Sequence, residues 1–313
     1  MELISTGLTV CVQTLMLLQV GFTYIWLRLR YSIGKREPSL LLEDEERINA
    51  IISVIIPAYK ERGRIGSTLR RVQSAAENTE LLEIIVADGG SDDGTIEEVR
   101  ETSLNCKITH ASGGRGPAVA AGARLATGSI LLILHADTQL PKHYDKVIRH
   151  ALTDKKNVAT AFRFGVDRQT IPDNICTWPF RIMEFTVNIR SGLFQLPFGD
   201  QAIALPKSYF IQLGGLDDLA KVPMLEDFIL VQRLRRFNFS FFFFPYSYQI
   251  KLLPLTALCH ARRWSTGSAS VWKINLLNQA IMLLHTFAGY SPNQIYKLYY
   301  GRDPLLPTLS STS

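Results

Sequence analysis

The chain has 313 residues, of which 47% are hydrophobic and 20% charged, enough to bury a core and incompatible with a mostly disordered chain. Four cysteines, at 11, 106, 176 and 259, form no Cys-x-x-Cys pair, so a disulfide-stapled small domain is excluded and a structural zinc site disfavoured. The net charge of +6 invites a nucleic-acid partner. Yet residues 49–220 balance at 19 basic and 19 acidic side chains, and residues 221–313 hold ten basic against three acidic. The excess is local, so a local anionic partner is expected and nucleic acid is not.

Residues 3–27 carry no charged side chain. As a helix rising about 1.5 Å per residue they would extend roughly 37 Å, enough to cross a bilayer. Phe22, Tyr24 and Trp26 precede the basic cluster Arg28, Arg30, Lys35 and Arg36, the order of an interfacial aromatic belt and a cytoplasmic flank. Residues 1–30 are therefore expected to be a transmembrane anchor with the rest of the chain facing the cytoplasm. A cleaved signal peptide fits less well, because Glu2 stands at the start and no small-residue cleavage site follows. A buried core helix, suggested by Gln13 and Gln19, is the alternative. Residues 31–48, with Glu43-Asp44-Glu45-Glu46, read as a solvated linker.

Beyond residue 49 strands and helices alternate. The β-branched run 51–56 ends at Pro57 and predicts a buried parallel strand. A helix is expected over 65–78, a strand over 82–87, and a helix over 95–101 with Asp92 or Asp93 near its start. A weak strand at 107–110, an Ala-rich helix at 118–126 and a strand at 129–134 follow. This order predicts a doubly wound, mostly parallel sheet, whose ligands bind beyond the carboxyl ends of the strands. Further on, strands are expected at 157–165 and 201–206 and helices at 226–236 and 270–287, the last a candidate interfacial helix. The aromatic run 239–248 reads as a core strand.

Four segments stand out in combination: Val54-Ile55-Ile56-Pro57-Ala58-Tyr59-Lys60-Glu61, Val86-Ala87-Asp88-Gly89-Gly90-Ser91, Leu134-His135-Ala136-Asp137-Thr138 and Met224-Leu225-Glu226-Asp227. With Gly113-Gly114-Arg115-Gly116, Phe198-Gly199-Asp200-Gln201 and Ala261-Arg262-Arg263-Trp264 they resemble the inverting glycosyltransferases of family 2, with the GT-A fold. The closer resemblance is to the subgroup described as radical-SAM/selenodomain-associated transferases. It covers roughly residues 50–300 and implies a catalytic domain over 49–305, divided into a nucleotide-binding half (49–140) and an acceptor half (141–305), with 306–313 a tail.

The resemblance implies a UDP- or GDP-linked sugar as donor. Asp88 would accept hydrogen bonds from the base, with Pro57, Tyr59 and Glu61 bordering base and ribose. Asp137 would hold Mg²⁺ or Mn²⁺ against the diphosphate, a hard cation suiting oxygen ligands. The family's Asp-x-Asp is reduced here to His135-Ala136-Asp137, so His135 becomes the second candidate ligand. Asp227 would be the base that takes the acceptor's proton, with Glu226 beside it. Arg115, Arg262 and Arg263 would meet the diphosphate through forked guanidinium contacts. Asp200, Gln201 and Trp264 would line the acceptor side. The acceptor is unidentified, and a lipid-linked one is compatible with an anchored chain. Two departures bear on specificity: Ala120 stands where the pattern Arg-x-x-x-x-Asn-x-Gly has Asn, and His260 where a small polar residue is usual.

Other classes fit less well. Gly114-Arg115-Gly116 is a fragment of a dinucleotide-binding loop, but Val119 holds the last Gly position. A nucleotidyltransferase would carry a Gly-rich, Lys-bearing loop after the first strand, where this chain has Pro57-Ala58-Tyr59. A non-catalytic nucleotide-sugar-binding protein is the remaining alternative, because the acidic motif is incomplete.

Overall fold

Seven consecutive residues, Ile52–Ala58 (β1), are all buried. Such a strand needs neighbours on both edges and cover on both faces. In the computed structural model, which describes residues 48–235, 248–264 and 268–304, β1 pairs in parallel with Leu82–Asp88 (β2) on one side and Ile130–Ile133 (β4) on the other. Cys106–His110 (β3) extends the sheet beyond β2. The later strands are Thr138–Gln139 (β5), Asn157–Val166 (β6), Ile203–Pro206 (β7) and Gln249–Cys259 (β8). Among the described residues eight strands form one sheet in the order β3-β2-β1-β4-β7-β6-β8-β5. β7 is antiparallel to β4 and β6, and β5 to β8; the other pairs are parallel.

The period-2 alternation of β1 assigns its two faces. Ile52, Val54 and Ile56 pack with Ile65, Leu69 and Val72 of Ile65–Ala75 (α1), and with Tyr144, Ile148 and Leu152 of Tyr144–Thr153 (α4). Thr95–Glu101 (α2) adds Val99 to that side. Ile55 and Ile85 face the opposite layer. It holds Arg115–Leu125 (α3), Lys207–Gln212 (α6) and Glu226–Leu234 (α7), with Val119, Phe210 and Phe228 among its core residues. A third cluster gathers Phe180 and Met183 of Trp178–Phe194 (α5) around Phe164, Cys259 and Trp264. Ser268–Thr286 (α8) and Pro292–Tyr300 (α9) close the described chain.

The expected doubly wound, mostly parallel sheet is present. The chain runs from β1 out to β3 and then crosses back to β4 on the other side of β1. The carboxyl ends of β1 and β4 therefore flank a topological switch point, where open α/β sheets bind ligands. The anchor expected at 1–30, the linker through residue 47, the aromatic run apart from Tyr248, residue 305 and the tail 306–313 lie outside the described residues. Among the described residues no helix is long and apolar enough to cross a membrane.

Candidate active site

The switch point collects the polar strand ends. Asp88, last in β2, is 2% exposed and folds back on its own turn: its oxygens accept from the N–H groups of Gly90 and Ser91 at 3.1–3.2 Å. His110 Nδ1 lies 3.2 Å from Oδ2. This is the Asx-turn use of the residue, and Oδ1 keeps lone pairs for a further donor. The turn is stitched to the loop after β1. Gly89 N–H donates to Ala58 C=O at 2.8 Å, Lys60 N–H to Ser91 Oγ at 2.9 Å and Glu61 N–H to Thr95 Oγ1 at 2.9 Å. Tyr59, 46% exposed, stands on this rim, and Pro57 lies inside β1. At α2 the expected carboxylate cap is not formed: the N-cap is the left-handed Gly94, without a side-chain cap bond, and Asp93 Oδ1 accepts from Thr95 N–H at 3.1 Å in an Asx turn one residue outside it.

Asp137, 6% exposed, follows β4 and meets an arginine. Arg262 Nη2 bridges Asp137 Oδ2 at 3.0 Å and Glu61 Oε1 at 2.6 Å, while Glu61 Oε2 also takes Arg64 Nε at 2.8 Å. Burial opposes the Asp137 charge, but the Arg263 and Arg262 guanidiniums outweigh it and hold the carboxyl below its usual value. His135 is buried with Nε2 unpartnered; burial and the Arg115 charge push its imidazole down to about 4, so it is neutral at pH 7. Its Nε2 points at the Cα of Gly199, where a Cβ would stand 2.3 Å away. Gly199 is small because that imidazole passes there.

The Gly114 and Gly116 requirement is also one of packing. A Cβ on either would lie 2.2 Å from a backbone oxygen, that of Pro223 for Gly114 and those of Leu219 and Val222 for Gly116. Their absence lets the start of α3 abut the strap 219–223 that leads into α7. Arg115 is thereby carried to Glu226, Nε to Oε1 at 3.0 Å. The guanidinium expected to meet the diphosphate is paired with a carboxylate of the catalytic candidate pair, because the helix starts within reach of that side chain.

Glu226 and Asp227 open α7 but differ in environment. Asp227 uses both oxygens on backbone donors, Oδ2 on Gly199 N–H and Oδ1 on Phe228 N–H, each at 2.7 Å. Burial opposes its charge, yet Arg115 and those two bonds keep it below the usual carboxylate range. Glu226 is 4% exposed with Oε2 unpartnered, and burial raises its carboxyl from 4.5 to about 7 despite Arg115. Asp200 joins this group. Burial lifts it to about 6, with Arg190 opposing and Asp227 assisting, and its Oδ1 has no partner.

Two acceptor-side expectations are corrected. Gln201 is fully buried: its Oε1 accepts from Ser191 Oγ at 2.7 Å and its Nε2 donates to Phe162 C=O at 2.9 Å. Its amide ties α5 to β6, so it fixes the Phe198–Gln201 turn from behind. Trp264 is buried edge-on against Phe164 and Phe180, with ring centroids 6.3 and 6.2 Å away. It anchors the Ala261–Trp264 turn and leaves Arg262 and Arg263 to face the cleft. Arg263 is exposed and makes no ion pair among the described residues, and its charge acts on Asp137, Asp200 and Glu226. Sequence reasoning missed Arg190, whose guanidinium lies 3.6 Å from the Phe198 ring centroid and whose charge acts on Asp200 and Asp227. A lone Arg in a helix gives no signal of such a role.

Among the described residues no three His, Cys, Asp or Glu side chains enclose a metal. Mg²⁺-like cations held jointly with substrate phosphates need one or two protein donors. Asp137 and the neutral, unpartnered His135 Nε2 fit that smaller requirement.

Carboxylates and guanidiniums gathered at a switch point make this an α/β protein with a ligand-binding arrangement at the carboxyl ends of its strands. The particular family follows from the sequence: residues 53–212 match glycosyl transferase family 2, and the chain belongs to it. The chain is 32% identical to an undecaprenyl-phosphate 4-deoxy-4-formamido-L-arabinose transferase of Aeromonas hydrophila over 29% of this chain and 30% of that protein. It is 32% identical to a dolichol-phosphate mannosyltransferase of Mycosarcoma maydis over 36% of this chain and 42% of the relative, so it spans less than half the length of these relatives. A mannosyltransferase from Pyrobaculum calidifontis, solved in complex with GDP-Man and Mn²⁺, shares the fold, with TM-score 0.55 and 17% identity over 94% of this chain and 80% of that one.

Proposed function

We propose that the chain is an inverting glycosyltransferase that moves a sugar from a UDP- or GDP-linked donor to a lipid-linked phosphate. The observation that carries this reading is the gathering of Asp88, Asp137, Glu226 and Arg263 around one switch-point crevice in a family 2 chain. Base and ribose would lie along Tyr59, Glu61 and Asp88. The diphosphate would meet Arg263 directly and draw Arg262 away from Asp137, replacing one anion by another. Mg²⁺ or Mn²⁺, when bound by Asp137 and His135, would supply positive charge to the departing diphosphate. The acceptor oxygen attacks the anomeric carbon, the carbon–oxygen bond to the diphosphate breaks, and the nucleoside diphosphate leaves. The names of the curated relatives support a polyprenyl-phosphate acceptor. The uncharged run 3–27 supports a membrane-anchored enzyme with residues 49–305 facing the cytoplasm.

A hydroxyl acceptor is a second reading, favoured by Glu226. A phosphate dianion needs no base, whereas a hydroxyl must lose a proton, and Glu226 holds an open carboxyl oxygen in the site. Nucleoside diphosphate release from UDP- and GDP-sugars, with Mn²⁺ and a polyprenyl phosphate, tests the main reading. Wild type is expected to turn over, and Asp137→Ala to lose about a hundredfold or more in rate. Consumption of no UDP- or GDP-sugar, with any acceptor supplied, would sink it.

A further inference from the structure

A single guanidinium spans two carboxylates of the crevice, and it holds them unequally. Arg262 Nη2 donates a hydrogen bond to Glu61 Oε1 at 2.6 Å. To Asp137 Oδ2 it stands at 3.0 Å as an ion pair, and that oxygen has no aligned hydrogen bond among the described residues. Glu61 is pinned: its Oε2 takes Arg64 Nε at 2.8 Å, and its N–H donates to Thr95 Oγ1 at 2.9 Å. The root of Arg262 is pinned too. Its N–H donates to His260 Nδ1 at 3.1 Å, and His260 N–H donates to Asp137 C=O at 2.9 Å. The arginine is therefore mounted on the backbone of the aspartate that it neutralises. The buried Trp264 anchors the same turn. The tip is left to move. The Arg262 side chain is 29% exposed and the Asp137 side chain 5%, so the cation can withdraw while the carboxylate stays.

We propose that Arg262 is a built-in counterion that keeps Asp137 from taking a divalent cation until a nucleoside diphosphate enters, with Glu61 the berth onto which the guanidinium withdraws. Electrostatics set the order. A guanidinium 3.0 Å from Oδ2 satisfies the carboxylate and repels a second cation from it. A diphosphate brings anionic oxygens for the guanidinium to meet, and the vacated Asp137 oxygen is then open to a hard cation that also contacts phosphate. Releasing Asp137 costs Arg262 little, because its 2.6 Å bond to Glu61 remains. Asp137 thus stays neutralised in the unliganded crevice, where a bare buried carboxylate would be costly. Diphosphate and cation then bind as a coupled pair. Such coupling is reciprocal: each ligand raises the affinity for the other by the same factor. The role presupposes the nucleotide-sugar donor proposed above.

Mn²⁺ alone, titrated into the full chain and followed by loss of the free-ion electron paramagnetic resonance signal, tests the counterion without any turnover. Without nucleotide, wild type is expected to bind Mn²⁺ about tenfold more weakly than Arg262→Ala, and saturating UDP or GDP to erase most of that difference. Arg262→Gln, neutral and of similar reach, should match Arg262→Ala, so a folding defect in one variant does not decide the result. Arg262→Lys keeps the charge and should stay within about threefold of wild type. Combining Arg262→Ala with Asp137→Ala should abolish the gained binding, which places the ion at Asp137. Equal Mn²⁺ affinity in wild type and both neutral variants would overturn the counterion, and so would a gain that survives the loss of Asp137. In either case UDP or GDP binding by wild type, read by calorimetry, leaves the donor reading standing. If wild type binds neither diphosphate, the donor reading fails and the counterion role with it.

Discussion

The neighbouring carboxylates at the start of α7 sit in different environments, and that difference gives a test of which of them serves as base. Asp227 accepts one backbone donor on each oxygen and is held ionised, tied to the Phe198–Gln201 turn beside His135. Glu226 has the open oxygen and the raised pKa, and is the better proton acceptor near neutrality. With a hydroxyl acceptor, kcat should therefore rise with pH through an inflection near 7 and level off above it. Glu226→Gln should abolish the inflection and lower kcat roughly a hundredfold. With a phosphate acceptor the same substitution should cost less than about tenfold, so one variant assayed with both acceptors separates the two readings. Stability carries the opposite sign. A carboxyl raised from 4.5 to about 7 on folding costs nothing below pH 4.5, and its penalty grows as pH rises toward 7. At pH 8 Glu226→Gln should accordingly unfold at higher denaturant than wild type, by about 1 kcal/mol or more. A variant that lost activity and stability together would count against this assignment.

At the amino ends of the strands, away from the crevice, Glu83 ties several elements together. Its carboxylate accepts from Ser53 Oγ of β1, from Thr127 N–H and Oγ1 at 2.8 and 3.1 Å before β4, and from Lys107 of β3. Burial alone would raise it, but Lys107, Ser53 and Thr127 hold it down to about 2 from 4.5. That stability is present above pH 4.5 and lost as pH falls toward 2. After discounting for solvent screening, Glu83→Gln should cost about 1 kcal/mol at pH 7 and almost nothing near pH 2, read from urea midpoints, with transfer rate unchanged. The sequence made β1, β2 and β4 legible through their unbroken apolar runs and α2 through the Gly94 turn before it, although β1 runs through Pro57 to Ala58. α5 and β8 were not legible. β8 alternates imperfectly, carries Pro254 and is completed by pairing with β6 far back in the chain, where the register slips twice. α5 lacks a side-chain cap and packs through Phe180 and Met183 against residues more than 70 positions later. The site was legible as a residue list. Its internal pairings, Arg262 on Asp137 and Arg115 on Glu226, depend on tertiary placement that no local pattern encodes.

Over the whole molecule, the crevice is the seam between two stretches of chain. Residues 57–61, 88–95 and 115–137 supply one wall; residues 198–200, 223–227 and 259–263 supply the other. The charge distribution follows this division. Residues 49–220 are neutral overall, and the basic excess of residues 221–313 brings Arg262 across to Glu61 and Asp137, with Arg263 near enough for its charge to act on Asp137. In the unliganded chain those cross-seam pairs are ionic contacts with their own carboxylates. A diphosphate would exchange them for contacts with substrate and bridge both walls. Ligand binding at a seam stabilises the folded state as a unit, by RT ln(1 + [L]/Kd), about 2.7 kcal/mol at a hundredfold excess over Kd. For a domain of this size that corresponds to a rise in Tm of roughly 5–10 °C. UDP or GDP should therefore raise the melting temperature of the full chain in a single transition. Mn²⁺ should add a further increment in wild type and none in Asp137→Ala, whose own unliganded Tm reports the loss of the Arg262 pair separately. Two melting steps, with nucleotide shifting only one, would show that the stretches fold independently and that the seam is not shared by the ligand.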